Sequence, residues 1–167
     1  MGRVDLHVHT NYSDGLMDPF AIVQEALNKN IAALGITDHD TMDGLSSAEK
    51  AGKMYGIEVV PGIEFSADIN GKEVHILGYY CNRELNELKR TLQDLKKSRR
   101  ERMTRMIQKL KRLKLDVNLA DVQQITKGEI LGRPHLALAL CQKGYCKTTA
   151  EAFSKYIGSN GPAYVKR

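Results

Sequence analysis

Three apolar runs of strand length lie within the first 64 residues of this 167-residue chain, and each ends beside a potential metal ligand; they cover residues 4–10, 32–36 and 57–63. The first run alternates and carries His7 and His9, so both imidazoles project from one face, where a single metal ion could hold them. The second run is followed by His39 and the third by Glu64. The second run is typical of a buried parallel strand, so two strands bring histidines to corresponding ends. This layout predicts a metal site.

Two further residues are candidates for the same site. Asp14 lies in a Ser-Asp-Gly turn, from which its carboxylate can reach back over the end of the first strand. His75 lies in an apolar segment after an Asn-Gly turn at residues 70–71, which predicts a hairpin or a fourth strand. Pro61 is expected to bend the third strand, which Glu64 closes, so that its carboxylate points towards the same place.

Each candidate also has a structural interpretation when it is taken alone. His7 and His9 fit polar residues on a half-exposed strand, because alternation is common in strands. Asp14 fits a turn or cap residue. His75 fits a core histidine.

Together, these motifs read HxH, D, TDH, E and H along the chain, and they resemble the PHP (polymerase and histidinol phosphatase) family of metal-dependent phosphoesterases. The segments VDLHVHTNYSDG and LGITDHDTMDGL are similar to its TrpH-like branch, also called RNase AM-like. The resemblance is strongest over residues 3–80 and extends over essentially the whole chain. It implies two or three divalent ions, commonly Mn, Fe or Zn, which suit mixed imidazole and carboxylate ligation. The ligands that it implies are His7, His9, Asp14, His39, Glu64 and His75.

The resemblance also implies an α/β fold, a distorted (β/α)7 barrel. We expect residues 1–82 to form its first three β/α units with the metal site, residues 83–160 a helical insertion that caps the mouth, and residues 161–167 the start of the return to the barrel. The family completes its site with a later histidine and a late Asp-x-His pair, whereas this sequence has no histidine after His135. The sequence is therefore interpreted as an N-terminal portion; a naturally short form would be a weak or inactive enzyme. An open barrel edge would need a cover, for which a homo-oligomer is one possibility.

Charge is unevenly distributed along the chain. Residues 1–82 contain 5 Lys and Arg against 12 Asp and Glu, whereas residues 83–114 contain 13 against 4. An apolar stripe from Leu85 to Leu113 predicts that the basic segment forms one long helix or two in series. Its cations form either a solvated helix face or a basic wall that attracts a polyanionic substrate. Aromatic residues are not interleaved with these charges, so a base-stacking platform is not predicted.

The segment Gly132-Arg133-Pro134-His135 predicts a second anion-binding feature. Proline is favoured in the first turn of a helix, so Pro134 predicts the start of a helix that runs to about Gln142. Arg133 and His135 would then lie at a helix N-terminus, where free N–H groups favour an anion and a guanidinium adds bidentate recognition of phosphate. The local alternative is a surface arginine with a packed histidine. A GRPH segment in the same place in the TrpH-like branch implies that both side chains contact the substrate phosphate.

The implied activity is that of a metal-dependent phosphoric ester hydrolase acting on nucleotides with a 5′ phosphate. It would remove the 3′ phosphate of 3′,5′-bisphosphates, or trim short RNA or DNA from 5′ to 3′. The expected partner is thus a phosphorylated nucleotide or a short oligonucleotide. Asp38 or Asp40 is expected to orient a ligand imidazole.

Three alternatives remain at this point. One is a PHP phosphatase of a small metabolite such as histidinol phosphate, against which the basic segment is weak evidence. Another is an amidohydrolase, which also opens with HxH, although Asp14 and the TDH motif fit the phosphoesterase better. The third is a truncated, non-catalytic module that binds metal or nucleic acid.

Composition adds a prediction about location. No apolar run approaches ~18 residues, and the first strand begins too early to leave room for a signal peptide, so a cytoplasmic protein without a membrane segment is expected. Cys81, Cys141 and Cys146 lack CxxC spacing, which predicts reduced packing cysteines.

Overall fold

The computed structural model describes residues 2–70, 72–126 and 128–166. The chain divides into two compact units, the first ending at Gln93 and the second beginning at Asp94. Residue 71 of the predicted Asn-Gly turn and residue 167 of the predicted return to the barrel lie outside the described residues.

The first unit contains a four-stranded mixed sheet in the order β1-β2-β3-β4. The first three strands are parallel and β4 is antiparallel to β3, which confirms the predicted fourth strand. A helix follows each of the first two strands, whereas β3 leads directly into β4, so two β/α units precede this hairpin. The α/β class is therefore confirmed, and the seven-stranded barrel stays a prediction. The elements are β1 Arg3–Val8, α1 Pro19–Asn28, β2 Ile31–Ile36, α2 Leu45–Tyr55, β3 Glu58–Ile69 and β4 Lys72–Tyr79.

Local sequence signals set the bounds of the two helices. Asp18 caps α1 by accepting a hydrogen bond from the backbone N–H of Ala21 at 3.0 Å, and Pro19 occupies the first turn. Helix α2 ends at Gly56, whose φ of 72° is a left-handed conformation that glycine adopts without a Cβ clash. Helix α1 packs against β2 and helix α2 against β3, and the two helices also pack against each other. The core of the unit includes Val23, Ala26, Leu34, Ile36, Leu45 and Ala48. These elements hold the ends of the parallel strands in place.

The third strand is longer than the sequence predicted. Glu64 does not close it, because β3 continues to Ile69. It pairs with β2 as far as Pro61 and with β4 from Gly62 onwards, so the strand changes its partner at the residue where a bend was expected. The prediction that the strand ends at Glu64 was wrong because β4 supplies new backbone hydrogen-bond partners beyond the parallel region. Glu64 consequently projects from the middle of a paired strand.

Helices form the second unit. The helix α3 spans Asn86–Arg112 and crosses the boundary between the two units as a single helix, one of the two predicted forms. The core of the second unit includes Met103, Met106, Leu110, Leu136 and Leu140. The stripe is buried in the C-terminal half of α3, whereas Leu85 before its start is 51% exposed. The remaining elements are α4 Leu119–Gln123, α5 Arg133–Gln142, and α6 Thr149–Ala152, which continues as a π-helical segment Phe153–Ile157.

Residues 161–166 form a turn followed by a segment outside any regular element. A return to the barrel after this segment, and a capping role for residues 83–160, stay predictions. None of the helices among the described residues combines the length and apolar character that crossing a membrane requires.

Candidate metal centre

All six side chains predicted as metal ligands lie together in the first unit. They form three overlapping groups of three, in each of which one nitrogen or oxygen atom per residue lies within 4.8 Å of the others. His9, His39 and Glu64 each belong to two of these groups, which makes the groups neighbours in one cluster. The groups are His7, His9 and Glu64; His9, Asp14 and His39; and His39, Glu64 and His75.

The carboxylate of Glu64 lies at the centre of this cluster. Its Oε2 atom is 3.0 Å from Nε2 of His7, 2.8 Å from Nε2 of His9 and 3.5 Å from Nδ1 of His39. Its Oε1 atom is 2.8 Å from Nδ1 of His75. Glu64 is 3% exposed, so four imidazoles surround one buried carboxylate. A buried carboxylate among imidazoles is a donor set that would hold divalent metal ions.

Asp14 lies on the other side of His9. Its Oδ1 atom is 3.1 Å from Nδ1 of His9, and its Oδ2 atom is 3.6 Å from Nε2 of His39. The turn that carries Asp14 approaches the chain after β1 closely, because the N–H of Gly15 donates to the carbonyl of Thr10 at 3.0 Å. A Cβ at residue 15 would lie 2.2 Å from the carbonyl oxygen of His9, so only glycine allows this approach. The predicted reach of the Asp14 carboxylate over the strand end is therefore observed.

Asp38 supports His9 through a hydroxyl group. Its buried carboxylate accepts hydrogen bonds from the backbone N–H and the hydroxyl of Thr10 at 2.7 and 2.6 Å, and from the hydroxyl of Ser13 at 2.6 Å. The Ser13 oxygen in turn lies 3.3 Å from Nδ1 of His9. Ser13 donates its proton to Asp38, so its oxygen can only accept from Nδ1 of His9. The Oδ1 atom of Asp14, 3.1 Å from the same nitrogen, is a second acceptor, and both contacts favour a proton on Nδ1.

The position of the His9 proton indicates whether these residues fit a metal ion. With its proton on Nδ1, His9 presents the lone pair of Nε2 towards the Glu64 oxygen 2.8 Å away. Two such acceptors at this distance repel each other unless a proton or a metal ion lies between them. Imidazole nitrogen with carboxylate oxygen is a donor set that suits Mn, Fe and Zn. The residues present therefore fit divalent transition metals.

Thr10 and Ser13 were missed by the sequence interpretation. Both side chains are fully buried, although both residues stand inside the HxH segment that drew attention to the site. Their role is to place hydroxyl groups beside Asp38. Residue 38 meets residues 10–13 only through a tertiary contact, which the local sequence does not show.

The side chain of Asp40 stabilises the loop after β2. Its φ of 51° is left-handed, and its buried carboxylate accepts from the backbone N–H of Ser66 at 2.8 Å. The backbone N–H of Asp40 donates to the carbonyl of Glu64 at 3.0 Å, and that of Glu64 donates to the carbonyl of Asp38 at 3.1 Å. These bonds tie the loop that carries His39 to the strand that carries Glu64.

The clustered charges shift the pKa values of two groups. Burial lowers the pKa of His9, but the hydrogen bond to Asp14 and the charges of Asp14 and Glu64 outweigh it, and the pKa lies above its ordinary value of 6.5. Burial raises the pKa of Glu64, yet the hydrogen bond to His7 and the nearby imidazoles lower it below its ordinary value. Both shifts favour the charged forms of these side chains.

Arg133 and His135, the predicted phosphate contacts, belong to the second unit. As predicted, they lie at the start of α5, with Gly132 as the N-cap. The Nδ1 atom of His135, which is 4% exposed, accepts from the N–H of Gly132 at 3.1 Å. The guanidinium carbon of Arg133 lies 5.8 Å from the ring centre of Phe153 and 5.5 Å from that of Tyr164. Both rings restrict where this guanidinium can lie.

The sequence model of the PHP domain matches residues 5–161 of the chain. The chain belongs to the PHP domain family. This PHP chain is 32% identical to a 5′-3′ exoribonuclease from Haemophilus influenzae, over 98% of its own length and 60% of the relative. It is 30% identical to a 3′,5′-nucleoside bisphosphate phosphatase from Chromobacterium violaceum, over 99% of its length and 58% of the relative. The chain thus spans somewhat more than half the length of these curated relatives.

Solved structures agree with this family. A protein from Chromobacterium violaceum described as an amidohydrolase, with bound sulfate and no metal, matches with a TM-score of 0.92 and 29% identity over 99% of the PHP chain and 58% of that protein. A protein from Bifidobacterium adolescentis described as a metal-dependent phosphoesterase matches with a TM-score of 0.89 and 28% identity, over 98% and 58% of the two chains.

Proposed function

We propose that this PHP chain is part of a metal-dependent phosphoesterase that hydrolyses phosphate esters of nucleotides. The observation that carries the proposal is the position of Glu64 among four imidazoles, with Asp14 facing two of them. The relatives named as a 5′-3′ exoribonuclease and a 3′,5′-nucleoside bisphosphate phosphatase indicate the substrate class.

Six residues would hold two or three divalent ions, with Mn, Fe and Zn the expected elements: His7, His9, Asp14, His39, Glu64 and His75. When bound, such ions bring the pKa of a water molecule towards neutrality and neutralise charge on phosphate oxygens. The buried Asp38 would not bind metal itself. It accepts a hydrogen bond from Ser13, whose oxygen faces Nδ1 of His9, and this arrangement keeps the Nε2 lone pair of His9 directed into the cluster.

Arg133 would bind the substrate phosphate, with His135 beside it at the start of α5. Arg133 lies at the N-terminus of a helix of ten residues, where the helix dipole favours an anion, and the two aromatic rings limit the motion of the guanidinium. A positioned guanidinium binds phosphate through two parallel hydrogen bonds. His135 accepts at Nδ1 from Gly132, which places its ring proton on Nε2.

The test is phosphate release from a nucleoside 3′,5′-bisphosphate by the purified, metal-loaded full-length protein. We expect release of the 3′ phosphate, and we expect Asp14→Ala combined with His39→Ala to lower both the metal content and the rate. Asp43→Asn is a matched control, because Asp43 is exposed and lies in the same loop region as His39. Metal content that is unchanged in the double variant would remove Asp14 and His39 from the ligand set.

A further inference from the structure

A basic cleft of about 340 Å³ lies in the second unit, between the C-terminal half of α3 and the segment at residues 164–166. Every charged side chain that lines it in the described part of the unit is lysine or arginine. The lining includes Arg105, Gln108, Lys109, Arg112, Tyr164 and Lys166. A cleft lined by one sign of charge concentrates ligands of the opposite sign.

Two hydrogen bonds build this cleft. The Nε atom of Arg102, which is 7% exposed, donates to the carbonyl of Val165 at 2.8 Å, and Nζ of Lys109 donates to the carbonyl of Tyr164 at 2.7 Å. The guanidinium of Arg102 also lies 5.4 Å from the ring centre of Tyr164. These contacts fix the segment at residues 164–166, which forms one wall of the cleft, against α3.

The cations of α3 follow one face of the helix. Arg105, Lys109 and Arg112 are spaced by four and three residues, which places them side by side on consecutive turns. From the first to the last they cover roughly 10 Å along the axis, at 1.5 Å per residue. Such a row suits an extended anion with repeated charges better than a single phosphate group.

Tyr164 connects the cleft to Arg133. Its ring is part of the cleft wall, and the same ring lies 5.5 Å from the guanidinium carbon of Arg133. The cleft therefore borders the side chain that is proposed to hold a terminal phosphate. A nucleoside bisphosphate carries two phosphate groups, whereas an oligonucleotide carries further phosphates for the row of cations.

We propose that this cleft binds the phosphodiester backbone of an oligonucleotide beyond the terminal nucleotide, and so favours oligonucleotides over mononucleotides as substrates. The inference rests on the proposed function, because it extends the path of a substrate that Arg133 holds. Binding through Arg105, Lys109, Arg112 and Lys166 is electrostatic and releases counterions from the strand. The cleft therefore recognises the backbone and not the base sequence.

The experiment measures binding of a 5′-phosphorylated, fluorescent oligonucleotide of roughly ten nucleotides, about the size of a single-strand site. Its phosphorothioate linkages resist hydrolysis, so the metal-loaded full-length protein is used, over a series of salt concentrations. We expect Arg105→Gln combined with Arg112→Gln to reduce the slope of log Kd against log salt by about 1.4, since each phosphate contact on a single strand contributes about 0.7. Affinity at low salt should fall roughly tenfold, because the variant loses the free energy of two exposed charge contacts.

The matched control is Lys97→Gln combined with Arg100→Gln, which removes the same charge from exposed residues of α3 that do not line the cleft. We expect the slope of this control to stay at the wild-type value. Equal changes in both double variants would show diffuse attraction by the whole helix and overturn the proposal, as would no change in either. Unfolding temperatures that match the wild type keep the comparison valid, because all four side chains are exposed.

A separate assay keeps the two proposals distinguishable. Hydrolysis of a nucleoside 3′,5′-bisphosphate by the unmodified protein tests the proposed function. Hydrolysis together with equal salt slopes in both double variants would reject the cleft and retain the phosphoesterase. A slope change confined to Arg105 and Arg112, without hydrolysis, would support the cleft and reject the activity.

Discussion

The Nε2 atom of His9 lies 2.8 Å from the Oε2 atom of Glu64, although His9 directly follows β1 and Glu64 lies on β3, far away in the chain. The contact exists because β2 lies between β1 and β3 and holds the ends of both strands in register. His9 and Glu64 share one group of candidate ligands, and each also belongs to one of the other two groups, so their contact connects all three.

Glu64→Gln is expected to abolish most metal binding. The amide keeps the shape of the side chain, but it removes the negative charge and places an NH₂ group among four imidazoles. Metal content determined by elemental analysis after dialysis should fall by at least one ion per chain. Glu58→Gln is the control, because Glu58 lies on the same strand and is exposed; an equal loss in that variant would contradict the central role of Glu64.

Ser13→Ala should weaken metal binding without removing a ligand. The variant removes the connection from Asp38 to Nδ1 of His9 and leaves Asp14 as the acceptor that faces this nitrogen, so the imidazole is held by fewer contacts. Loss of such a supporting contact typically lowers metal affinity by about 10- to 100-fold. Competition with a chelator measures the change, and Ser46→Ala at an exposed position should have no effect.

Metal binding by this PHP chain should weaken as the pH falls, beginning at a higher pH than for an ordinary histidine. The pKa of His9 is raised in the metal-free protein by the carboxylates around it, so its proton stays bound up to a higher pH and competes with the metal. In the metal-free protein the raised pKa has the opposite consequence, because the stabilisation by charged His9 is complete at low pH and is lost as the pH rises through that pKa.

Thermal unfolding with and without metal checks this pH dependence. The increase in Tm on adding metal should be larger at roughly pH 8 than at roughly pH 5.5, since ligand protons compete at the lower pH. An increase that is independent of pH would show that the imidazoles do not bind the metal.

Arg133→Gln should raise KM for a phosphorylated nucleotide and leave the metal content unchanged. A lost charge-assisted hydrogen-bonding pair costs about 1.5–3 kcal/mol, or roughly 10- to 100-fold in affinity. Arg100→Gln, which removes an exposed arginine from α3, is the control for general charge effects. An unchanged KM in the Arg133 variant would show that Arg133 does not bind the substrate phosphate and only packs beside Phe153 and Tyr164.

Leu110→Ala should destabilise the second unit by about 2–5 kcal/mol, the usual cost of a cavity at a fully buried leucine. Leu113→Ala, at a 42% exposed leucine from the same stripe, should change stability by about 0.5 kcal/mol or less. Urea unfolding measures both variants. Similar values for the two would show that the stripe does not face the core as the structure places it.

The sequence predicted much of the first unit, and the start of α5 in the second unit, because these signals are local. Alternation and apolar character identified β1 and β2, a Ser-Asp-Gly turn placed Asp14, and Pro134 marked the start of α5. The prediction for β3 failed at its end, since the continuation from Glu64 to Ile69 depends on pairing with β4 and not on the residues of β3 alone. Strand length is decided by the available partner, which a local pattern does not contain.

By itself, the amino-acid sequence determined which side chains are able to bind metal and the α/β class that brings strand ends together. The tertiary structure alone decided that Glu64 lies among four imidazoles, that Ser13 links Asp38 to His9, and that Tyr164 forms a wall of a basic cleft on α3. Ligand type follows from side-chain chemistry and spacing along one strand. Contacts between distant segments follow from packing and register, which are fixed only when the whole unit is folded.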